Sequence, residues 1–180
     1  LQGLEEKIAA GSTRIDYLER KLIVLNGANQ LLEFIANDIN RMKGYKSKVL
    51  PYGFEVPFGK DRVFEIKCED KSILFTGIID RIDKYVDEDK YILIDYKSRP
   101  GGTSTIEDIK KGLSLQLPLY IMSLGDKEVV AGIYGIISNG KFVETIVLDA
   151  EAENIGPADK KGVMDEEELK ALLDHTRSYV

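Results

Sequence analysis

The sequence predicts a mixed α/β fold of the α+β kind, with helices flanking one central sheet. Three observations carry that expectation: a long stretch of helical periodicity at the start, a series of short alternating segments in the middle, and two later helical blocks separated by a pair of strands. At 180 residues the chain is long enough to bury one sizeable core. One domain is expected, made of a helical segment (1–48), a central part (49–150) and a connection with a C-terminal helix (151–180).

From Ser12 to Met42 the residues Ile15, Leu18, Leu22, Leu25, Leu31, Leu32, Ile35, Ile39 and Met42 recur at three- and four-residue steps. This spacing predicts a helix whose apolar stripe faces the core, broken or kinked at Asn26-Gly27 and closed by Gly44. Strands are expected at Tyr52–Phe58, Arg62–Cys68, Ser72–Tyr85 and Lys90–Ser98. The polar turns between them, at Gly59-Lys60-Asp61, Glu69-Asp70-Lys71 and Asp87-Glu88-Asp89, are short enough for an antiparallel meander. After the loop RPGGTS, Ser104 and Glu107 form a capping-box pattern that opens a helical region to about Leu124, with a break at Gly112. Strands at Val129–Ser138 and Lys141–Leu148 follow, joined by the hairpin signal Asn139-Gly140. Residues 149–162 read as a surface connection. The final helix, Met164–Tyr179, has acidic residues in its first turn and His175 and Arg177 near its end, which suits the helix dipole.

Composition excludes several classes. No apolar run approaches the roughly 20 residues needed to span a bilayer, and the first residues lack the basic and apolar blocks of a signal peptide. A cytoplasmic protein without a membrane partner is therefore expected. Cys68 and His175 are the single cysteine and histidine, so no intramolecular disulfide and no zinc site of ordinary composition can form. Any metal must be held mainly by oxygen. The net charge of -6 argues against a general electrostatic grip on nucleic acid, yet clustered carboxylates are what a divalent-ion site requires.

Asp80 and Asp95 stand where a strand face is otherwise apolar. Alternation places Thr76, Ile78, Asp80, Ile82 and Lys84 on one face, and Tyr91, Leu93, Asp95 and Lys97 on one face of the next strand. A hairpin through Asp87–Asp89 brings the two aspartates across from or near each other. Such a pair is stable only with a proton, a cation or strong donors beside it. A divalent metal with Lys97 next to it is suited to cutting a phosphodiester. The pattern equally allows a structural ion pair between Lys97 and either aspartate. Arg81 and Asp83 are expected as a pair on an outward, solvated face.

Four segments in order, FEVPF (54–58), GIIDRID (77–83), IDYKS (94–98) and QLPLY (116–120), resemble the motifs of the PD-(D/E)XK superfamily, and within it the RecB-like nucleases. Among these the chain is most similar to the C-terminal nuclease domain of AddB-type helicase/nuclease subunits. The resemblance implies a restriction-endonuclease-like core at 49–150, with a central mixed sheet flanked by helices. It also implies a Mg²⁺- or Mn²⁺-dependent DNA nuclease, an exonuclease acting in double-strand break repair and recombination. By the same resemblance Asp80, Asp95 and the carbonyl of Tyr96 hold the metal, with Glu55 a further candidate, and Lys97 is catalytic. Gln116 and Tyr120 brace the site or touch the DNA backbone, or else simply pack a helix on the sheet, and Arg99 lies in the loop best placed to meet phosphates. A helicase module or subunit is the implied partner. Two departures stand out: His175 is not upstream of the first strand, and Cys68 alone cannot hold the iron-sulfur cluster of AddB-type domains, so the cluster belongs to a longer parent protein or the chain to a cluster-free branch. The rival reading is a catalytically incomplete nuclease-like module for DNA binding or assembly; a third is a small-molecule phosphohydrolase.

Overall fold

The computed structural model describes residues 14–59, 63–68, 71–156 and 162–180. Along the chain run α1 (Arg14–Gly44), β1 (Val49–Phe58), β2 (Phe64–Cys68), β3 (Lys71–Phe75), β4 (Gly77–Tyr85) and β5 (Lys90–Lys97). Then come α2 (Ile106–Lys110), α3 (Gln116–Ser123), β6 (Glu128–Ile136), β7 (Lys141–Leu148), α4 (Ala152–Ile155), β8 (Val163–Met164) and α5 (Glu166–Ser178). Six strands form one mixed sheet in the order β1-β4-β5-β6-β7-β8, and β2 and β3 make a separate hairpin. Neighbours are antiparallel except β5 with β6 and β7 with β8.

The parallel β5–β6 pair explains the placement of α2 and α3. Parallel neighbours cannot be joined by a tight turn, so the chain must cross over the sheet between them. In doing so it lays Leu117, Tyr120 and Ile121 on the core. β5 and β6 are the central strands, and both read as near-continuous apolar runs because both sheet faces are covered: Tyr91–Ile94 and Val129–Ile136 are buried almost throughout. This is the mixed central sheet flanked by helices that the sequence predicts. Thr105 caps α2 and Asp165 caps α5, each through a reciprocal capping box. The break near Gly112 is present, with that residue at φ 70. Among the described residues no helix is long and apolar enough to cross a membrane.

Four expectations are corrected. α1 runs unbroken through Asn26-Gly27; one glycine costs a helix only about 1 kcal/mol relative to alanine, too little to end so long a segment. Most of its apolar stripe does not face the core: Leu18, Leu22, Leu25, Leu31, Leu32, Ile35 and Ile39 are all exposed, while Met42 is half-buried with its sulfur accepting from Arg81, and the Ile15 side chain lies outside the described residues. The side turned inward carries Phe34 and Asp38, and Tyr45 follows just past the helix end; all three are buried. Ser72–Tyr85 is two strands, divided at Thr76, since β3 leaves the main sheet to pair with β2. Gly59 permits the crossing: at φ 75 it lies so close to Phe75 that a Cβ would fall 1.8 Å from its carbonyl oxygen. Arg81 and Asp83 are buried, not solvated, because α1 covers their face with Asp38 and Arg41. In addition, the expected connection at 149–162 includes α4, and β8 joins the sheet just beyond it. The expected helix start at Ser12, the turn residues Lys60, Asp61, Glu69 and Asp70, the strand start at Arg62 and residues 157–161 lie outside the described residues.

Candidate active site

β4 and β5 pair with Arg81 opposite Ile94 and Ile82 opposite Leu93. One step further in this register puts Asp80 beside Asp95, and Asp80 Oδ2 accepts the Tyr96 N–H at 2.7 Å. Asp95 is only 1% exposed. α3 begins at Gln116, whose amide joins three groups: its Nε2 donates to Asp95 Oδ1 at 2.6 Å and to the Tyr120 hydroxyl at 2.8 Å, while its Oε1 accepts from Lys97 Nζ at 2.7 Å. The amide has one workable orientation, because an ammonium can only donate and a carboxylate only accept. Gln116 and Tyr120 meet because residues four apart share a helix face.

Lys97 Nζ also lies 2.7 Å from Asp95 Oδ2. That contact is a buried ion pair, and it is the one protein partner of Asp95 Oδ2 among the described residues. Burial pushes the Asp95 carboxyl above its ordinary range, Lys97 pulls it part of the way back, and Asp80 adds repulsion. Two neighbouring carboxylates, one of them buried with its pKa raised by that burial, form an all-oxygen donor set that fits a hard divalent cation. Among the described residues, no group of three or more His, Cys, Asp and Glu is gathered for a metal. Glu55 lies between Phe54, the partner of Arg81, and Val56, the partner of Ile79, but it is exposed and its backbone turns away at φ 48. Arg99 is exposed next to the short 3-10 turn at 100–102. His175 is occupied elsewhere, with Nε2 3.1 Å from the Lys110 carbonyl and 2.9 Å from the Tyr179 hydroxyl. Cys68 lies in β2.

Sequence reasoning missed two contributors. Tyr134, opposite Asp95 on β6, is fully buried and presents its ring to Lys97 Nζ at 5.5 Å. Ser104 and Ser114, on either side of α2, lie near its hydroxyl. Lying in the apolar run EVVAGIYGI, it reads as ordinary core. The second is the ionic cluster behind the strands. Arg81 donates to Asp83 Oδ1 at 2.6 Å and Oδ2 at 2.9 Å, to Asp38 Oδ2 at 2.5 Å and to the Tyr96 hydroxyl at 3.3 Å. Arg41 bridges Asp38 at 2.7 Å and Asp83 at 3.2 Å and contacts the Tyr45 hydroxyl. Tyr96 also packs edge-on against Phe34 of α1, with ring centroids 5.6 Å apart. The residues alternating with Asp80 and Asp95 are thus clamped to α1, which holds the two site strands from behind. The only local signal was that both Arg81 and Asp83 alternate with apolar neighbours.

Among curated proteins none matches the chain. Residues 4–178 match the family described as the PD-(D/E)XK nuclease superfamily. That span takes in both site strands, the helix that begins at Gln116 and the helices at either end. The chain belongs to the PD-(D/E)XK nuclease superfamily.

Proposed function

We propose that the chain is a Mg²⁺- or Mn²⁺-dependent DNA nuclease, an exonuclease domain of the AddB type that works in the cytoplasm beside a helicase module in double-strand break repair. The observation that carries the catalytic reading is the convergence of three groups: Asp80 beside the buried Asp95 across the β4–β5 pair, with Lys97 Nζ 2.7 Å from Asp95 Oδ2. Asp80, Asp95 and the Tyr96 carbonyl would hold the cation, whose charge would polarise the phosphate and stabilise the transition state. Lys97 then acts on the reacting phosphate. Gln116 holds its ammonium in place, so the charge is oriented before the negative charge on phosphorus grows. Water attacks the phosphorus, the bond to the 3′-oxygen breaks, and that oxygen leaves as a hydroxyl. Tyr120 keeps its hydroxyl proton free of Gln116, which donates to it, and presents that proton to the DNA backbone. Arg99, on the exposed turn after β5, supplies a phosphate contact.

One observation favours the rival reading of a binding or assembly module: no third acidic, histidine or cysteine side chain joins the pair among the described residues. The two readings separate on end-labelled linear and closed circular DNA treated with Mg²⁺, Mn²⁺ or EDTA. Metal-dependent loss of linear DNA that disappears in Lys97→Ala is expected, and the circular substrate shows whether an end is required. Binding without cleavage under any metal would reject the nuclease. Metal occupancy has its own readout. Saturating Mn²⁺ at about 100 times its Kd should stabilise the wild type by about 2.7 kcal/mol and leave Asp95→Asn almost unmoved; equal stabilisation of both would place the metal elsewhere.

A further inference from the structure

α1 has two faces, and the chain itself uses one. Phe34 and Arg41 pack inward, Phe34 stacking on Phe142 and Arg41 joining the ion cluster. On the other side stand Leu18, Leu25, Leu32 and Ile39, alternating with Leu22, Asn29 and Ala36, and all seven are exposed. Their spacing of three and four residues is the heptad spacing of a coiled-coil seam, the first set at d and the second at a, sustained over about three heptads. In this register Phe34 and Arg41 fall at f, the position farthest from the seam. The domain therefore sits behind the helix and leaves the seam open.

We propose that this face pairs with the same face of a second copy in a parallel two-stranded coiled coil. Asn29 identifies the occupant. A polar side chain in the middle of a leucine seam is stranded against any apolar surface, but in a parallel, in-register pair of identical helices each Asn29 meets its own copy, and the two amides bond one another. An antiparallel pairing sets it against leucine. The flanking positions agree, since across a parallel seam Lys21 faces Asn26 and Ala28 faces Glu33, and no like charges meet. Size agrees as well. The five large apolar side chains of the seam are 41–65% exposed; together they offer on the order of 500 Å² per chain and about 1,000 Å² per pair, the threshold for a specific interface. Ile35, at g, widens the seam, whereas Ile23 and Leu31 lie off it.

The test is sedimentation velocity of the 180-residue chain from about 1 to 100 µM, which reads association by mass action. A concentration-dependent species of twice the chain mass is expected. A monomer throughout the range overturns the proposal, and this is also the result if the seam serves another protein or another part of a longer polypeptide. Leu25→Glu/Leu32→Glu should sediment as a monomer with an unchanged far-UV circular dichroism spectrum, because both side chains are already in solvent. The milder Leu22→Ser/Leu32→Ser should raise the dissociation constant at least about tenfold. A dimer that survives both changes forms through another surface, which refutes the seam. For orientation, Ala36→Cys in a Cys68→Ser background should form an inter-chain disulfide on mild oxidation. A dimer that fails to cross-link there is not parallel and in register. No readout involves cleavage, so the outcome is independent of the nuclease reading.

Discussion

Asp83→Asn removes the charge from the most deeply buried carboxylate of the cluster that joins α1 to β4. Asp83 is fully buried and accepts two bonds from Arg81, at 2.6 and 2.9 Å, and one from Arg41 at 3.2 Å. With both aspartates present, Asp38 and Asp83 balance Arg41 and Arg81. Asparagine keeps one acceptor for Arg81 but leaves the buried cluster with a net positive charge. Each bond to a charged group contributes about 1.5–3 kcal/mol. The gains do not sum, because burying the carboxylate itself costs several kcal/mol, and breaking such a pair typically costs about 3–5 kcal/mol. The acceptor that remains places the expected loss near the lower end, about 3 kcal/mol. Urea unfolding at neutral pH, followed by circular dichroism, measures it as a lower midpoint with an unchanged slope. The double replacement Arg81→Met/Asp83→Leu removes both charges and should cost less than Asp83→Asn alone, since neither partner is left unpaired. A loss below about 1 kcal/mol for Asp83→Asn would refute the reasoning, for it would mean that the cluster is solvated and does not clamp the helix.

Two further predictions concern other buried polar groups. Burial pushes the Glu151 carboxyl up, but bonds from Lys90, Tyr85 and Asn154 outweigh it and hold the group below its ordinary range. A carboxyl depressed in the folded state stabilises above its unfolded value, near 4.3, and that contribution is lost as pH falls through the folded value. Glu151→Gln should therefore cost about 1–2 kcal/mol at neutral pH and less as the solution is acidified below about pH 4; a loss in urea that does not shrink on acidification would contradict this. Tyr134→Phe keeps the ring under Lys97 and removes only the hydroxyl. It should change stability by less than about 1 kcal/mol and leave kcat within about threefold. Tyr134→Leu also removes the cation–π contact, worth about 0.5–2 kcal/mol, and should lower kcat by a further tenfold or so at unchanged KM. Equal kcat in the two variants would deny the ring any part in placing Lys97.

Much of the site could be read locally. The β4–β5 hairpin follows from two alternating segments around the turn at Asp87–Asp89, and alternation then puts Asp80 beside Asp95 and Lys97 on the face of Asp95. The four-residue step from Gln116 to Tyr120 likewise anticipates their hydrogen bond, although not that Gln116 would hold both Asp95 and Lys97. α1 was read the wrong way round for a physical reason. Its apolar stripe is the obvious candidate for the core, yet the side that meets the sheet carries Asp38 and Arg41, which pair with each other and with Arg81 and Asp83 some forty residues away. Hydrophobic periodicity reports that a helix has two faces; it does not report which face a distant charged partner will claim.

The sequence by itself determined the succession of the long helices and strands apart from the division at Thr76, the turn at Asp87–Asp89, and the pairing of Asp80 with Asp95 beside Lys97. These depend on spacing within a strand or a helical turn. Tertiary structure alone decided the sheet order, the burial of Arg81 and Asp83, the ring of Tyr134 beneath Lys97 and the outward turn of the α1 leucines. In each of these the interacting groups come from distant parts of the chain, and the free energy of burying a charge or a ring depends on what the whole fold brings to the other side.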